Sequence, residues 1–169
     1  EIEEIYENKN KILNKKFNTS NSEILKKIQT VRSKNMKIVM TNGCFDIVHA
    51  GHIHLLENAK KLGDFMIVAI NSDKSVKELK GKKRPVNKLS ARIEMLQALS
   101  CVDLVVVFNE LTPLKTIKMI SPDVLVKGGD YKIKDIVGAD LVITKKGKVR
   151  IIKTKKGYST TKILLSQNI

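Results

Sequence analysis

The stretch Thr41–His52, TNGCFDIVHAGH, decides the reading of this chain. It sets His49 and His52 three positions apart around Gly51. A β-branched apolar run at 37–41 precedes it, and a helical pattern at 52–62 follows, with Gly63 placed for a C-terminal cap. The spacing therefore predicts a strand, a loop and a helix, with both imidazoles on the first helical turn. A helix N-terminus carries unpaired N–H groups and a partial positive charge, so it gathers phosphate. Residues three apart share a helix face, so the two rings add donors on the same side. Gly51 has no side chain and lets a ligand approach the backbone. The stretch reads as a phosphate-handling site. A metal reading stands beside it, because Cys44, His49 and His52, with His54 nearby, can supply soft or borderline ligands. A structural zinc site draws a second pair from elsewhere, and the one other cysteine, Cys101, follows a helix pattern.

Outward from that stretch the chain alternates. Apolar runs at 37–41, 66–70, 104–108, 123–126 and 149–153 read as buried strands, and helical patterns lie at 52–62, 89–99 and 113–120. Pro113 suits a first helical turn, and Asn87 or Ser90 is placed to open the second helix. A last helix is expected after Ser159, with Thr160 and Thr161 in its first turn. Strands alternating with helices imply right-handed crossovers. The expected fold is α/β: a Rossmann-like, doubly wound parallel sheet of five strands with helices on both faces. Ligands of such sheets bind beyond the carboxyl ends of the strands, near the switch in strand order. His49 follows the first strand, Asp73 the second, Lys127 the fourth, and Ser159 lies beyond the fifth, so these residues converge on one rim. Residues 1–35 read as an extension, helical in its second half, and 36–169 as the main domain. Asn21-Ser22 is expected to cap a helix from Glu23 to about Arg32, with Ile24, Leu25, Ile28 and Val31 on one stripe.

The chain has 169 residues, enough for one domain with a sizeable core. No apolar run is long enough to span a bilayer, and no signal-peptide pattern opens the sequence. The two cysteines lie in unlike contexts, which favours a reducing cytoplasm over a disulfide framework. A chain that opens on Glu1 rather than Met reads as a fragment or a trimmed protein. The formal charge of +15 raises a non-catalytic nucleic-acid-binding module as an alternative of another class. Against it, the charge is nearly all lysine and spread out, and with Trp absent the stacking platforms of single-strand binders are not evident. The preferred reading is a lysine-rich composition over a solvated surface, with attraction of phosphate-bearing substrates as a secondary benefit. Neither G-x-x-x-x-G-K-[ST] nor a G-x-G-x-x-G after the first strand occurs, which disfavours a P-loop kinase and a dinucleotide oxidoreductase.

The stretch TNGCFDIVHAGH resembles the H-x-G-H signature of the cytidylyltransferase-like nucleotidyltransferases. Four further segments are similar, in order and spacing, to its heptose 1-phosphate adenylyltransferase branch. They are Val68–Asp73, Leu79–Gly81 with Arg84–Asn87, Asp123–Tyr131, and Gly157–Thr161. The likeness runs from about Lys37 to the C-terminus. It implies transfer of AMP from ATP to a heptose 1-phosphate, with Mg²⁺ arriving on ATP, a homodimer, and a sugar kinase either fused or separate. The near alternative is a cytidylyltransferase acting on glycerol 3-phosphate or a phosphoamine. Those relatives often carry an arginine ahead of S-T-T and a tryptophan after G-D, where Lys156-Gly157-Tyr158 and Tyr131 stand here.

The resemblance puts His49, His52 and Lys80 at the reacting phosphates. It places Thr41, Asn42, Gly43, Cys44, Phe45, Gly51, Lys127, Gly128, Asp130, Ser159, Thr160 and Thr161 around the nucleotide. Asp46, Asn71, Asp73, Arg84 and Tyr131 fall to the second substrate. Each has a plainer alternative. Lys80 can be a surface lysine, Asp46 and Asp130 can be turn or capping aspartates, and the hydroxyls of 159–161 can simply cap a helix. Arg92 opens a helix, and its plain reading is a salt bridge to Glu94 or a neighbour.

Overall fold

A computed structural model describes residues 20–153. Five strands form one parallel sheet: β1 (Ile38–Gly43), β2 (Phe65–Asn71), β3 (Leu104–Phe108), β4 (Val124–Gly128) and β5 (Lys148–Ile152). Their order is β3-β2-β1-β4-β5. The chain steps outward from β1 through β2 to β3, then crosses back to lay β4 on the other flank of β1. The switch point lies between β2 and β4, at the carboxyl end of β1, and there a doubly wound sheet holds its ligand.

Helices are α1 (Asn21–Ser33), α2 (Ala50–Lys60), α3 (Asp73–Lys80), α4 (Leu89–Gln97), α5 (Leu114–Ile120) and α6 (Ala139–Thr144), with a single 3₁₀ turn at Ile133–Asp135. Side chains alternate across a strand, so β1 feeds two cores. Ile38 and Met40 join Ile24, Ile28 and Val31 of α1, Ile117 and Ile120 of α5, and Ala139 and Val142 of α6. Val39 joins Leu56 and Ala59 of α2 and Ile93 and Leu96 of α4 on the other face. Helices on both faces of the parallel sheet thus follow from the period-two pattern of the strands.

Local details depart from the sequence reading. Ser20, not Asn21-Ser22, caps α1, because its hydroxyl accepts from the Glu23 amide while the Glu23 carboxylate reaches back to the Ser20 N–H. Leu25 falls outside the buried stripe and is exposed. Gly63 is not a left-handed cap; a Cβ there would meet Val39 Cγ2 at 2.6 Å and the Lys37 carbonyl at 2.9 Å, so it permits close packing on β1. The helix expected to open at Asn87 or Ser90 starts at Leu89, and its N-cap Lys88 makes no side-chain cap bond. The α3 helix was not expected at all. The last expected helix, with Ser159, Thr160 and Thr161, lies outside the described residues. Among the described residues no helix is long and apolar enough to cross a membrane.

Candidate active site

The carboxyl ends of the strands open into a cleft of ≈ 680 Å³. Its floor is the loop after β1, and its centre is the start of α2. His49 is the N-cap of α2 and His52 the third residue of its first turn. His49 Nδ1 accepts from the Gly51 amide at 3.1 Å, and His52 Nδ1 accepts from the His49 amide at 3.4 Å. This is a capping box built from two imidazoles. A ring nitrogen that accepts carries no proton, so the proton of each neutral ring sits on Nε2, and each ring is an N–H donor there. The rings stack with centroids 3.9 Å apart. Burial, with repulsion from His49, pushes the His52 pKa down to about 4, and burial also lowers that of His49. Both are therefore neutral donors near pH 7.

The loop is shaped to hold this pair. Phe45 is buried yet has φ 46°, the left-handed region that an aromatic residue seldom adopts. Its ring lies 5.1 Å from that of His52. A Cβ on Gly43 would sit 3.1 Å from Phe45 Cε2, so glycine leaves room for the ring. Asp46 is only 2% exposed, and its carboxylate is fully engaged. It accepts from Arg84 Nε at 2.5 Å and from the amides of Val86 and Asn87 at 2.9 Å each, while the Asn87 side chain donates to the Asp46 carbonyl. Burial alone raises its pKa. The two amides and Arg84 outweigh burial, and the net shift is downward. Asp46 is thus a latch that brings the 81–88 segment, and Arg84 with it, to the cleft.

Arg92 is a second fastening, and a fully buried one. Its guanidinium donates to the carbonyls of Cys44 at 2.7 Å, Asn71 at 2.9 Å and Asn87 at 3.1 Å. It pairs with Asp73 at 2.7 Å rather than with Glu94. One side chain therefore ties together the loops after β1 and β2 and the segment before α4.

Asn42, Gly43, Cys44, Phe45, Asp46, His49, Gly51, His52, Asn71, Lys80, Arg84, Lys127, Gly128 and Tyr131 all line the cleft. Among the described residues, three expected ones do not. Thr41 is fully buried, with its hydroxyl on the Val126 carbonyl at 2.9 Å. Asp73 is taken up by Arg92, and Asp130 is exposed away from the lining. Sequence reasoning missed Leu55, Leu79, Leu111–Pro113, Val137, Ile152 and Lys153 on the wall. The rim rule, extended to the end of β3, points to 109–113. Burial raises the Cys44 thiol pKa against the pull of Lys80, Arg92 and Arg84, which favours the protonated thiol. Among the described residues no group of three His, Cys, Asp or Glu side chains is arranged to hold a metal.

The cytidylyltransferase-like family signature matches residues 40–165, from within β1 onward. The chain belongs to the cytidylyltransferase-like family. Family membership makes it a nucleotidyltransferase. It is 51% identical over 145 residues to the bifunctional protein HldE of Hydrogenovibrio crunogenus, covering 86% of this chain and 30% of that protein. It is also 51% identical over 143 residues to HldE of Proteus mirabilis, covering 85% of this chain and again 30% of the relative. The chain thus spans about a third of the length of the curated relatives it matches. A lipopolysaccharide core biosynthesis protein from Thermoplasma volcanium superposes with TM-score 0.57 at 32% identity, over 73% of this chain and 99% of that one. A pantoate–β-alanine ligase from Francisella tularensis shares the fold alone, with TM-score 0.52 at 17% identity over 85% and 75% of the two chains.

Proposed function

We propose that this protein transfers AMP from ATP to a heptose 1-phosphate, giving ADP-heptose and pyrophosphate. The supporting observation is the imidazole-capped N-terminus of α2, set in the cleft at the strand switch. An oxygen of the sugar phosphate attacks the α-phosphorus of ATP. A new P–O bond forms as the bond to the β-phosphate oxygen breaks, and its electron pair leaves with pyrophosphate. The nucleophile is already ionised near neutral pH, so no general base is needed. Catalysis then rests on positioning and on donors aimed at developing charge. His49 and His52 supply neutral N–H groups to the phosphates, beside the helix N-terminus. Neutral rings suit this role, since they need not release a proton to turn over. Lys80, at the end of α3, and Arg84, held by Asp46, serve the pyrophosphate side.

Mg²⁺ enters as part of the ATP substrate, with few direct protein ligands. The heptose assignment is supported by the likeness to HldE. A sugar kinase, fused or separate, supplies the 1-phosphate. The two unpaired cysteines support a cytoplasmic place of action. Homodimerisation is the expected assembly, to be read by analytical ultracentrifugation. Pyrophosphate release measured with ATP or CTP, and with heptose 1-phosphate, glycerol 3-phosphate or a phosphoamine, tests the proposal. Turnover only with ATP and heptose 1-phosphate is expected. Turnover with CTP in place of ATP would overturn it.

A further inference from the structure

We propose that Lys127 binds the phosphate of the acceptor, so that the cleft holds its two anionic substrates on opposite sides of β1. This inference rests on the adenylyl-transfer reading. In an in-line displacement the attacking and leaving oxygens lie on opposite sides of the reacting phosphorus. The histidines follow β1, in the middle of the sheet. Lys80 and Arg84 reach the cleft from the segments that follow β2, on one flank. Lys127 reaches it from the end of β4, on the other flank. If pyrophosphate leaves toward Lys80 and Arg84, the acceptor arrives on the side of Lys127.

The surroundings of Lys127 fit an anion that comes from outside. The side chain is half-buried on the cleft wall, with Nζ 5.7 Å from the centre of the Tyr131 ring. Among the described residues no carboxylate pairs with it, whereas Arg84 is held by Asp46 and Arg92 by Asp73. Burial, with repulsion from Lys80, lowers its pKa. A monophosphate ester dianion at this place relieves that cost and keeps the ammonium protonated. Nζ–H then donates to the acceptor phosphate and retains its proton throughout the displacement. The charge also screens the acceptor from the negative phosphates of ATP as the two approach.

The test is steady-state pyrophosphate release by the full chain, with ATP and heptose 1-phosphate varied in turn. Lys127→Met is expected to raise KM for heptose 1-phosphate by about 10- to 100-fold, the range of one charge-assisted hydrogen bond. KM for ATP is expected to stay within about twofold, and Lys127→Arg to restore part of the loss. In the wild-type protein inorganic phosphate should compete with heptose 1-phosphate and not with ATP, a readout that needs no variant to fold. A rise in KM for ATP alone, no change in either KM, or competition of phosphate with ATP alone would overturn the inference while leaving the proposed function standing. A wild-type protein inactive with ATP and heptose 1-phosphate would sink the proposed function, and this inference with it.

Discussion

Arg92 and Lys127 are both cations drawn in from solvent beside one cleft, and their surroundings are opposite. Arg92 is fully buried, with three backbone carbonyls and the Asp73 carboxylate as partners. Lys127 is half-buried and has no carboxylate partner among the described residues. A buried charge without compensation is costly, so a satisfied one belongs to the architecture and an unsatisfied one points to a ligand. The flank of the cleft next to β2 is fastened internally by Arg92 and Asp46. The flank next to β4 keeps its charge for what binds.

The comparison breaks most readily on stability. Arg92→Met orphans three carbonyls and a carboxylate, and about 3–5 kcal/mol of unfolding free energy should be lost in urea titrations. Lys127→Met removes a desolvated charge that lacks a partner, so its urea midpoint should be unchanged or higher. Equal destabilisation by both substitutions would end the distinction. Next in size is the centre of the cleft. His52→Ala should lower kcat by about 10²–10³-fold, the usual loss of one donor to developing charge, while costing only about 1 kcal/mol of stability through the weakened cap. Pyrophosphate release and urea unfolding of the same preparation check both.

Asp46→Asn sharpens the contrast between fastening and binding. It weakens the latch on Arg84, Val86 and Asn87, and a loss of about 1–3 kcal/mol is expected in urea. The accompanying drop in kcat/KM should come from a displaced Arg84. The smallest effect is the dependence on pH. His52 titrates near pH 4 in the folded chain and near its ordinary 6.5 when unfolded. On acidification the unfolded chain takes up that proton first. The stability contributed by neutral His52 is therefore complete above pH 6.5 and lost as pH falls to about 4. His52→Gln should flatten the Tm profile across that window, and an unchanged slope would show that the ring is not held neutral.

Much of this was legible in the sequence, for identifiable reasons. The strands were found because β-branched runs buried on both faces leave a continuous apolar signal, and each lies within two residues of its expected bounds. The histidine pair was found because its spacing is a local, helical one. The α3 helix was hidden, since Asp73–Lys80 is only eight residues long and its apolar stripe is just Val76 and Leu79, too short to stand out as a period. The fastenings were hidden for a different reason. Arg92 meets Cys44 across 48 positions and Asp46 meets Arg84 across 38, and nothing local in either segment names the partner. The Thr41 hydroxyl, the Asp46 carboxylate and one carboxylate oxygen of Asp73 are bonded within the frame, by partners that a linear motif does not name. The wall from Leu111 to Pro113 was overlooked because it lies in a loop that carries no motif.

The central claim is that the two neutral imidazoles at the start of α2 hold the polyphosphate of ATP. The most direct measurement is a crystal structure of the complex with a non-hydrolysable ATP analogue and Mg²⁺. The account predicts phosphate oxygens within hydrogen-bond distance of Nε2 of His49 and His52, with the terminal phosphates toward Lys80 and Arg84. Phosphates bound elsewhere in the cleft, or a metal ion held by the two rings, would contradict it.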